Sequence, residues 1–280
     1  MTFDLDHVSF SYRDKSRGTS REVLRDLSLT IRDGECVAIL GREGCGKSTL
    51  LFLLDGLIAP ASGTVLIGGK DPRADPRHGR DVRRRIAFAF QFPDEQFLQG
   101  TIAGEFADFL SGRGVPQGDA QGLMHSSLSF AGLDPESMPA RSPFSLSAGE
   151  SRRLVLALAH AARPEAVLLD EPTAGMDATA GTCMVEFAHD MGKAGATVVV
   201  ATHDVDLAAE IADRVVILDG GSVAAGGTAE EILTADALLA RYGYELPEVV
   251  AFAARLRKEG TGIPPGLVRR EALLAFLELR

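Results

Sequence analysis

Gly41-Arg42-Glu43-Gly44-Cys45-Gly46-Lys47-Ser48 sets glycines around a turn and closes it with a lysine and a hydroxyl, the spacing GxxxxGK[ST]. Gly41, Gly44 and Gly46 let the backbone curl so that its N–H groups point inward, and a helix opening at Lys47 turns its positive dipole end onto the same spot. The chemistry that calls for this arrangement is the binding of a polyphosphate anion. Lys47 is expected to reach the β- and γ-phosphates of ATP, and Ser48 to offer a hydroxyl to Mg²⁺, with Thr49 beside it among the nucleotide contacts. Cys45 sits inside the loop, where N–H dipoles and Lys47 are expected to lower its thiol pKa and leave it open to alkylation, with ATP protecting it.

A second chemical group ends an apolar run, Ala166-Val167-Leu168-Leu169-Asp170-Glu171. In a phosphate-binding enzyme the first carboxylate holds Mg²⁺ and the second orients attacking water. Successive side chains of a strand point opposite ways, so the two are expected to face apart and take different tasks. Ser145 to Glu150 precedes this run, and Asp177 and Thr202-His203-Asp204 follow it.

The elements that must hold these groups are legible from periodicity. Phe3, Leu5, Val8, Phe10 and Tyr12 alternate with polar residues through one change of phase, and residues 13–21 read as a polar loop. Unbroken apolar runs at Cys36–Leu40, Val167–Leu169, Thr197–Ala201 and Val215–Leu218 read as strands buried on both faces, joined by short strands at Thr64–Ile67 and Ile86–Phe90. Residues 101–163 read as mostly helical, and helices return after Gly227. The pattern predicts an α/β core with antiparallel strands first and a helical insertion later.

Composition narrows the class. The chain of 280 residues carries a net charge of −10, which argues against a general nucleic-acid scaffold. Arg73, Arg77, Arg80, Arg83, Arg84 and Arg85 cluster, but Asp71, Asp75 and Asp81 dilute them and no aromatics interleave, so a solvated face is expected. The three cysteines contain no CxxC pair, the histidines show no metal-ligand spacing, and the start MTFDLDHVSF lacks the pattern of a signal peptide.

Over residues 1–235 the chain resembles the ATP-binding-cassette ATPases. Leu146 to Glu150 (LSAGE) looks like the family signature LSGGQ and Pro172 to Asp177 (PTAGMD) like the D-loop, while His203, Gln91 and Tyr12 stand where the family has its switch histidine, Q-loop glutamine and adenine-stacking aromatic. The resemblance implies a P-loop NTPase fold with an antiparallel β subdomain. A helical subdomain is inserted at about residues 92–163, and residues 236–280 form a C-terminal helical extension. It implies catalysis by Glu171 with His203 and Gln91, and Mg²⁺ organised by Ser48, Gln91 and Asp170. It also implies a head-to-tail dimer, homomeric or with a paralogue, in which Ser147 and Gly149 of one subunit meet the γ-phosphate held by Lys47 of the other. Ala148 and Glu150 depart from the commonest signature, and Ala148 would slow turnover if its backbone needed a positive φ.

Phe90-Gln91-Phe92-Pro93-Asp94-Glu95-Gln96-Phe97 resembles the FQNPDDQ element of ATPases from energy-coupling-factor transporters for cobalt and vitamins, with Phe92 in place of the usual Asn. The resemblance extends to Leu57–Gly63, to residues 221–225 and to the C-terminal helices. It implies a groove beside Gln91–Gln96 for the coupling helix of an integral membrane component, a substrate-binding membrane protein in the same assembly, no nucleic-acid partner, and a peripheral place on the cytoplasmic face of the membrane. A conventional cassette importer or exporter shares every motif except Pro93–Gln96. A soluble clamp on DNA or ribosomes is disfavoured because no sustained heptads separate Lys47 from Ser147.

Overall fold

A computed structural model of the chain describes residues 1–14, 19–92, 96–174 and 178–278. Pro93–Glu95, Asp177 with the neighbouring Gly175 and Met176, and Leu279 lie outside them.

The first strands, β1 (Phe3–Asp14) and β2 (Thr19–Ile31), pair antiparallel, and β4 (Ser62–Ile67) adds to the other edge of β1. The change of phase in β1 is a bulge: pairing moves from Leu5 opposite Leu29 to Val8 opposite Leu27, with His7 between them at φ +49°. The loop expected over residues 13–21 is shorter, because Arg13 pairs with Ser20 and Tyr12 with Arg21. Ladder hydrogen bonds satisfy the backbone there whatever the polarity of the side chains.

The second sheet runs in the order β5-β6-β7-β3-β8-β9. In it β5 (Ile86–Ala89), β6 (Ala166–Asp170), β7 (Thr197–Thr202), β3 (Cys36–Leu40) and β8 (Arg214–Asp219) are parallel, and β9 (Ser222–Thr228) closes one edge antiparallel to β8. Every residue of β3, β6 and β7 is buried, as the unbroken apolar runs require of strands covered on both faces. Helix α1 (Lys47–Leu54) follows β3 and is wedged between the two sheets, with Leu50, Leu51, Leu53 and Leu54 at most 1% exposed.

Helix α2 (Pro76–Arg85) is an element the periodicity does not reveal. Only Gly79 and Val82 are buried on it, so it has no apolar stripe, but Asp75 caps it by accepting from the Arg77 N–H at 2.9 Å and Pro76 opens it. It carries five of the six clustered arginines, all but Arg73, on its solvated side, with Arg85 paired to Glu165.

The inserted helices α3 (Ile102–Gly112), α4 (Gln117–Phe130) and α5 (Ala148–Ala162) share one apolar core with β6 and β7. Phe106, Leu110, Leu128 and Leu154 pack into the same cluster as Val167, Leu169, Val198 and Val200. Beyond them lie α6 (Ala178–Lys193) and α7 (Val205–Ile211). The chain ends in α8 (Ala229–Leu233), α9 (Asp236–Arg241), α10 (Glu248–Lys258) and α11 (Arg270–Glu278). Leu239, Val250 and Val268 bury against Ala208, Val215 and Ile217, which docks the C-terminal extension on the far side of the parallel sheet.

Where the inserted helices meet the core, Arg113 donates to the Ile86 carbonyl at 2.9 Å and lies over the Phe109 ring. Asp55, 6% exposed at the end of α1, is pushed up to about 7 by burial, against the opposing pull of Arg83 and Arg113. A carboxyl raised in the folded state costs nothing below its ordinary pKa. Stability is then lost as pH rises from about 4 through about 7, by up to ~4 kcal/mol. Asp55→Asn should flatten this slope and raise the urea midpoint at pH 8, as measured by equilibrium unfolding across pH.

Candidate active site

The parallel register brings together residues far apart in sequence. Leu40 at the end of β3 lies opposite Thr202 of β7, and Asp170 at the end of β6 lies opposite Ala201. The phosphate loop, the Asp170-Glu171 pair and His203 therefore emerge at the same carboxyl edge of three adjacent strands, where open α/β sheets bind ligands.

Within the loop, Gly44 and Gly46 adopt φ +76° and +112°, conformations that suit glycine. Gly41 is required for space instead, because a Cβ there would collide with Cys45 Sγ and the Leu218 carbonyl. This packing corrects the expectation for Cys45. The thiol is buried among the apolar residues around α1, and burial raises its pKa, outweighing the opposing influence of Lys47. Native protein at pH 7.5 should leave Cys45 unlabelled by iodoacetamide with or without ATP, while urea-unfolded protein labels readily; mass spectrometry reads the difference.

Lys47, 7% exposed, donates to the Gly41 carbonyl at 2.6 Å, and its ammonium lies 3.0 Å from Glu171 Oε1. Glu171 Oε2 bonds His203 Nδ1 at 2.8 Å and accepts from the His203 backbone N–H at 3.2 Å. The two carboxylates do not face apart as strand alternation predicts. The strand stops at Asp170, Glu171 turns into the left-handed region at φ +46°, and both side chains line one cavity. A non-glycine residue held there costs of order 1 kcal/mol, and the Lys47 and His203 contacts hold it.

That cavity, about 410 Å³, is lined by Tyr12, Arg21, Gly44, Gly46, Lys47, Ser48, Thr49, Gln91, Asp170 and Glu171. Tyr12 is 45% exposed, packs edge-on to Phe10, and sets its hydroxyl 3.3 Å from Thr49 Oγ1. A second cavity of about 460 Å³ shares Gln91 and Glu171 and adds Arg42, Ala174, His203, Gly243 and Tyr244. A larger groove of about 790 Å³, bordered by Thr182, Leu207 and Leu274, contains no residue of the phosphate loop.

Asp170 Oδ1 is buried with no hydrogen-bond partner, its carboxyl raised by burial, and the Ser48 hydroxyl bonds the same carboxylate. An orphaned carboxylate oxygen beside a hydroxyl fits a hard divalent cation that takes its remaining ligands from phosphates and water. Among the described residues no cluster of His, Cys, Asp and Glu suits a metal held by protein alone.

Ser147 and Gly149 are not brought to this site. Ser147 caps α5 on the surface in a reciprocal pair with Glu150, whose carboxylate accepts the Ser147 N–H at 2.9 Å and pairs with Arg141 at 2.8 Å. Those contacts, the Ser147 backbone bond foremost, hold Glu150 down at about 2. Ala148 is the exposed first residue of α5, and among the described residues the positive non-glycine φ values fall at His7, Asp26, Arg163 and Glu171, so the backbone objection to Ala148 does not apply.

Some site residues escape the sequence. Arg152 of α5 donates to the carbonyls of Glu171 at 3.1 Å, Pro172 at 3.3 Å and Gln91 at 3.1 Å, tying the helix behind Ser147 to both loops of the site. Its position one helical turn from Ala148 was the available signal, but its partners are carbonyls that no motif marks. Arg21, Arg42 and Tyr244 line the cavities with no local pattern to announce them.

A glycine-rich loop on the central parallel strand, answered by a carboxylate from the strand two places away, puts the chain among the P-loop ATPases. Comparison with known proteins narrows this: residues 24–174 match the ABC transporter family model, and the chain belongs to that family. It is 37% identical to the energy-coupling factor transporter ATP-binding protein EcfA2 of Symbiobacterium thermophilum, over 91% of this chain and 88% of that one. To the cobalt import ATP-binding protein CbiO of Rhodobacter capsulatus it is 39% identical, over 91% of each. Among solved structures, the dimeric post-hydrolysis cassette MJ0796 bound to ADP and Pi superposes with a TM-score of 0.74 at 27% identity, covering 81% of this chain and 98% of that one.

Proposed function

We propose that the chain is the ATP-hydrolysing subunit of an energy-coupling-factor importer for a vitamin or a transition-metal ion. The observation that carries the chemistry is the contact series from buried Lys47 and Glu171 to the exposed His203 at the mouth of the phosphate loop. The relatives, an energy-coupling factor ATPase and a cobalt-import ATPase, carry the transport assignment.

An arriving γ-phosphate competes with Glu171 for the Lys47 ammonium. Glu171 Oε1 is thereby released to orient a water and accept its proton, while His203 keeps hold of Oε2. Loop N–H groups and Lys47 stabilise the charge that develops on the phosphoryl oxygens, where positioning and charge supply most of the catalysis. Tyr12 offers its exposed ring to the adenine. Mg²⁺, held by Ser48, Gln91 and Asp170, would neutralise phosphate charge.

A second ATPase subunit supplies Ser147 and Gly149 to the γ-phosphate, a role favoured by their surface position in this chain and by the dimeric state of a structural relative. Opening of the dimer after hydrolysis resets the site. No helix among the described residues is long and apolar enough to cross a membrane. The transporter relatives support a peripheral place for this chain on the cytoplasmic face, passing force to separate membrane components. Phe92, Leu98 and Phe144 are exposed, with Phe144 edge-on to Phe97, and suit the coupling helix of such a component. Phe88 and Phe90, just before the Gln91–Gln96 segment, pack their rings against one another and against Phe52.

Purification from native membranes in mild detergent, followed by mass spectrometry, tests the assignment. Recovery of an integral membrane scaffold with a second, substrate-binding membrane protein is the expected result. Recovery of ribosomal or DNA-bound partners alone would overturn the transport reading and leave the ATPase chemistry standing.

A further inference from the structure

We propose that the turn Tyr242-Gly243-Tyr244 of the C-terminal extension is part of the ATP site, with Tyr244 a positioning residue that acts on the phosphate loop through Gly41. The proposal rests on the ATPase reading above and extends it to residues beyond the 24–174 segment that defines the family.

Several observations place the turn. Helix α9 is anchored by Leu239, which is fully buried, and ends in a tight cap: the N–H of Gly243 bonds the Ala240 carbonyl at 3.0 Å, and that of Tyr244 bonds the Leu239 carbonyl at 3.0 Å. Gly243 adopts φ +81°, and Arg42 of the phosphate loop crosses directly over it, donating from Nε to the Tyr242 carbonyl at 3.1 Å. A Cβ on Gly243 would overlap the Arg42 guanidinium. The extension thus holds the loop by a contact that only glycine permits.

The Tyr244 ring then turns into the cavity that holds Glu171, His203 and Gln91. Its hydroxyl is buried without a hydrogen bond of good geometry, and Tyr244, Gly41 and Arg42 together line one small cavity of about 90 Å³. An unpaired buried hydroxyl is costly, so a small movement that pairs it is favourable. Gly41 is the residue whose carbonyl holds the Lys47 ammonium. When a phosphate draws Lys47 away from Glu171, the Gly41 peptide is free to shift, and the Tyr244 hydroxyl is placed to fix it in the shifted position. Tyr244 thereby favours the arrangement in which Lys47 serves the phosphate, and the extension that carries it reports nucleotide occupancy to whatever the extension touches.

The test is steady-state ATP hydrolysis by the full-length chain in its transporter, comparing wild type with Tyr244→Phe, Gly243→Ala and Glu171→Gln. Tyr244→Phe keeps the ring and removes only the hydroxyl. It should lower kcat about three- to tenfold, the scale of one hydrogen bond, with KM for ATP within about twofold and a thermal midpoint of the nucleotide-free protein equal to or above that of wild type. Gly243→Ala, which pushes the Arg42 guanidinium off the turn, should lower kcat in the same direction. Wild-type kcat in Tyr244→Phe, or a fall matched by lost thermal stability, overturns the proposal. Glu171→Gln separates the two failures: if it abolishes turnover while Tyr244→Phe does not change it, the positioning role is wrong and the site stands, whereas normal turnover in Glu171→Gln removes the site reading itself.

Discussion

Glu171→Gln should slow ATP turnover by roughly 10²–10⁴, the range lost when a positioned acid–base group is removed. The substitution keeps the volume of the side chain and leaves the phosphate loop and Tyr12 intact, so ATP still binds. What disappears is the carboxylate that Lys47 at 3.0 Å and His203 at 2.8 Å hold in place. With binding retained and hydrolysis blocked, the nucleotide should accumulate at the subunit interface. Single-turnover hydrolysis measures the rate, and size-exclusion chromatography with Mg-ATP should show a persistent dimer in the variant and a transient one in wild type. Near-normal hydrolysis would remove Glu171 from the mechanism.

Lys47→Met should have two separable consequences, loss of ATP binding and loss of fold stability. Lys47 and Glu171 are buried partners, with side chains 7% and 10% exposed. Removing the cation leaves a carboxylate in a low-dielectric site with only His203 against it, and breaking a buried pair in this way typically costs ~3–5 kcal/mol. The double variant Lys47→Met, Glu171→Gln should recover most of that stability, since no charge is then stranded, while nucleotide binding stays lost. Urea midpoints for the single and double variants give the coupling energy directly, and titration with a fluorescent ATP analogue gives the binding. A double variant no more stable than Lys47→Met would show that the two charges do not depend on each other.

The two effects share one physical origin. In the folded chain Lys47 answers a carboxylate, and in the proposed hydrolysis it would answer a phosphate, which makes it a cation with two competing anions. On the proposed reading, a phosphate that draws Lys47 changes this pairing at its two present partners, the Gly41 carbonyl and Glu171 Oε1.

Much of the site was legible in the order of residues because its parts depend on local geometry. The glycine spacing at 41, 44 and 46 and the apolar runs that become β3, β6 and β7 each carry a signal within a few residues of where they act. Their sequence also dictated that the loop ends on a buried strand and opens a helix, and that two carboxylates close another strand. Helix α2 escaped because almost none of it is buried, and Val82 alone does not make the repeating apolar stripe by which a helix is read.

Tertiary structure alone settled how those parts meet. The strand order β6-β7-β3 sets Asp170 beside Ala201 and Thr202 beside Leu40, and nothing within any one segment specifies those adjacencies. Glu171 leaves its strand in a left-handed turn, so two carboxylates expected to diverge converge on one cavity. Cys45, chemically primed by its neighbours in sequence, is silenced by apolar residues from distant elements. Arg152 and Tyr244 reach the site across 19 and more than 200 positions of chain, Arg152 bonding the Glu171 carbonyl and Tyr244 sharing a cavity lining with Gly41. Periodicity and motif report what a segment does for itself, whereas desolvation and long-range contact belong to the packed molecule, and those are what assign each chemically capable residue to use or to silence.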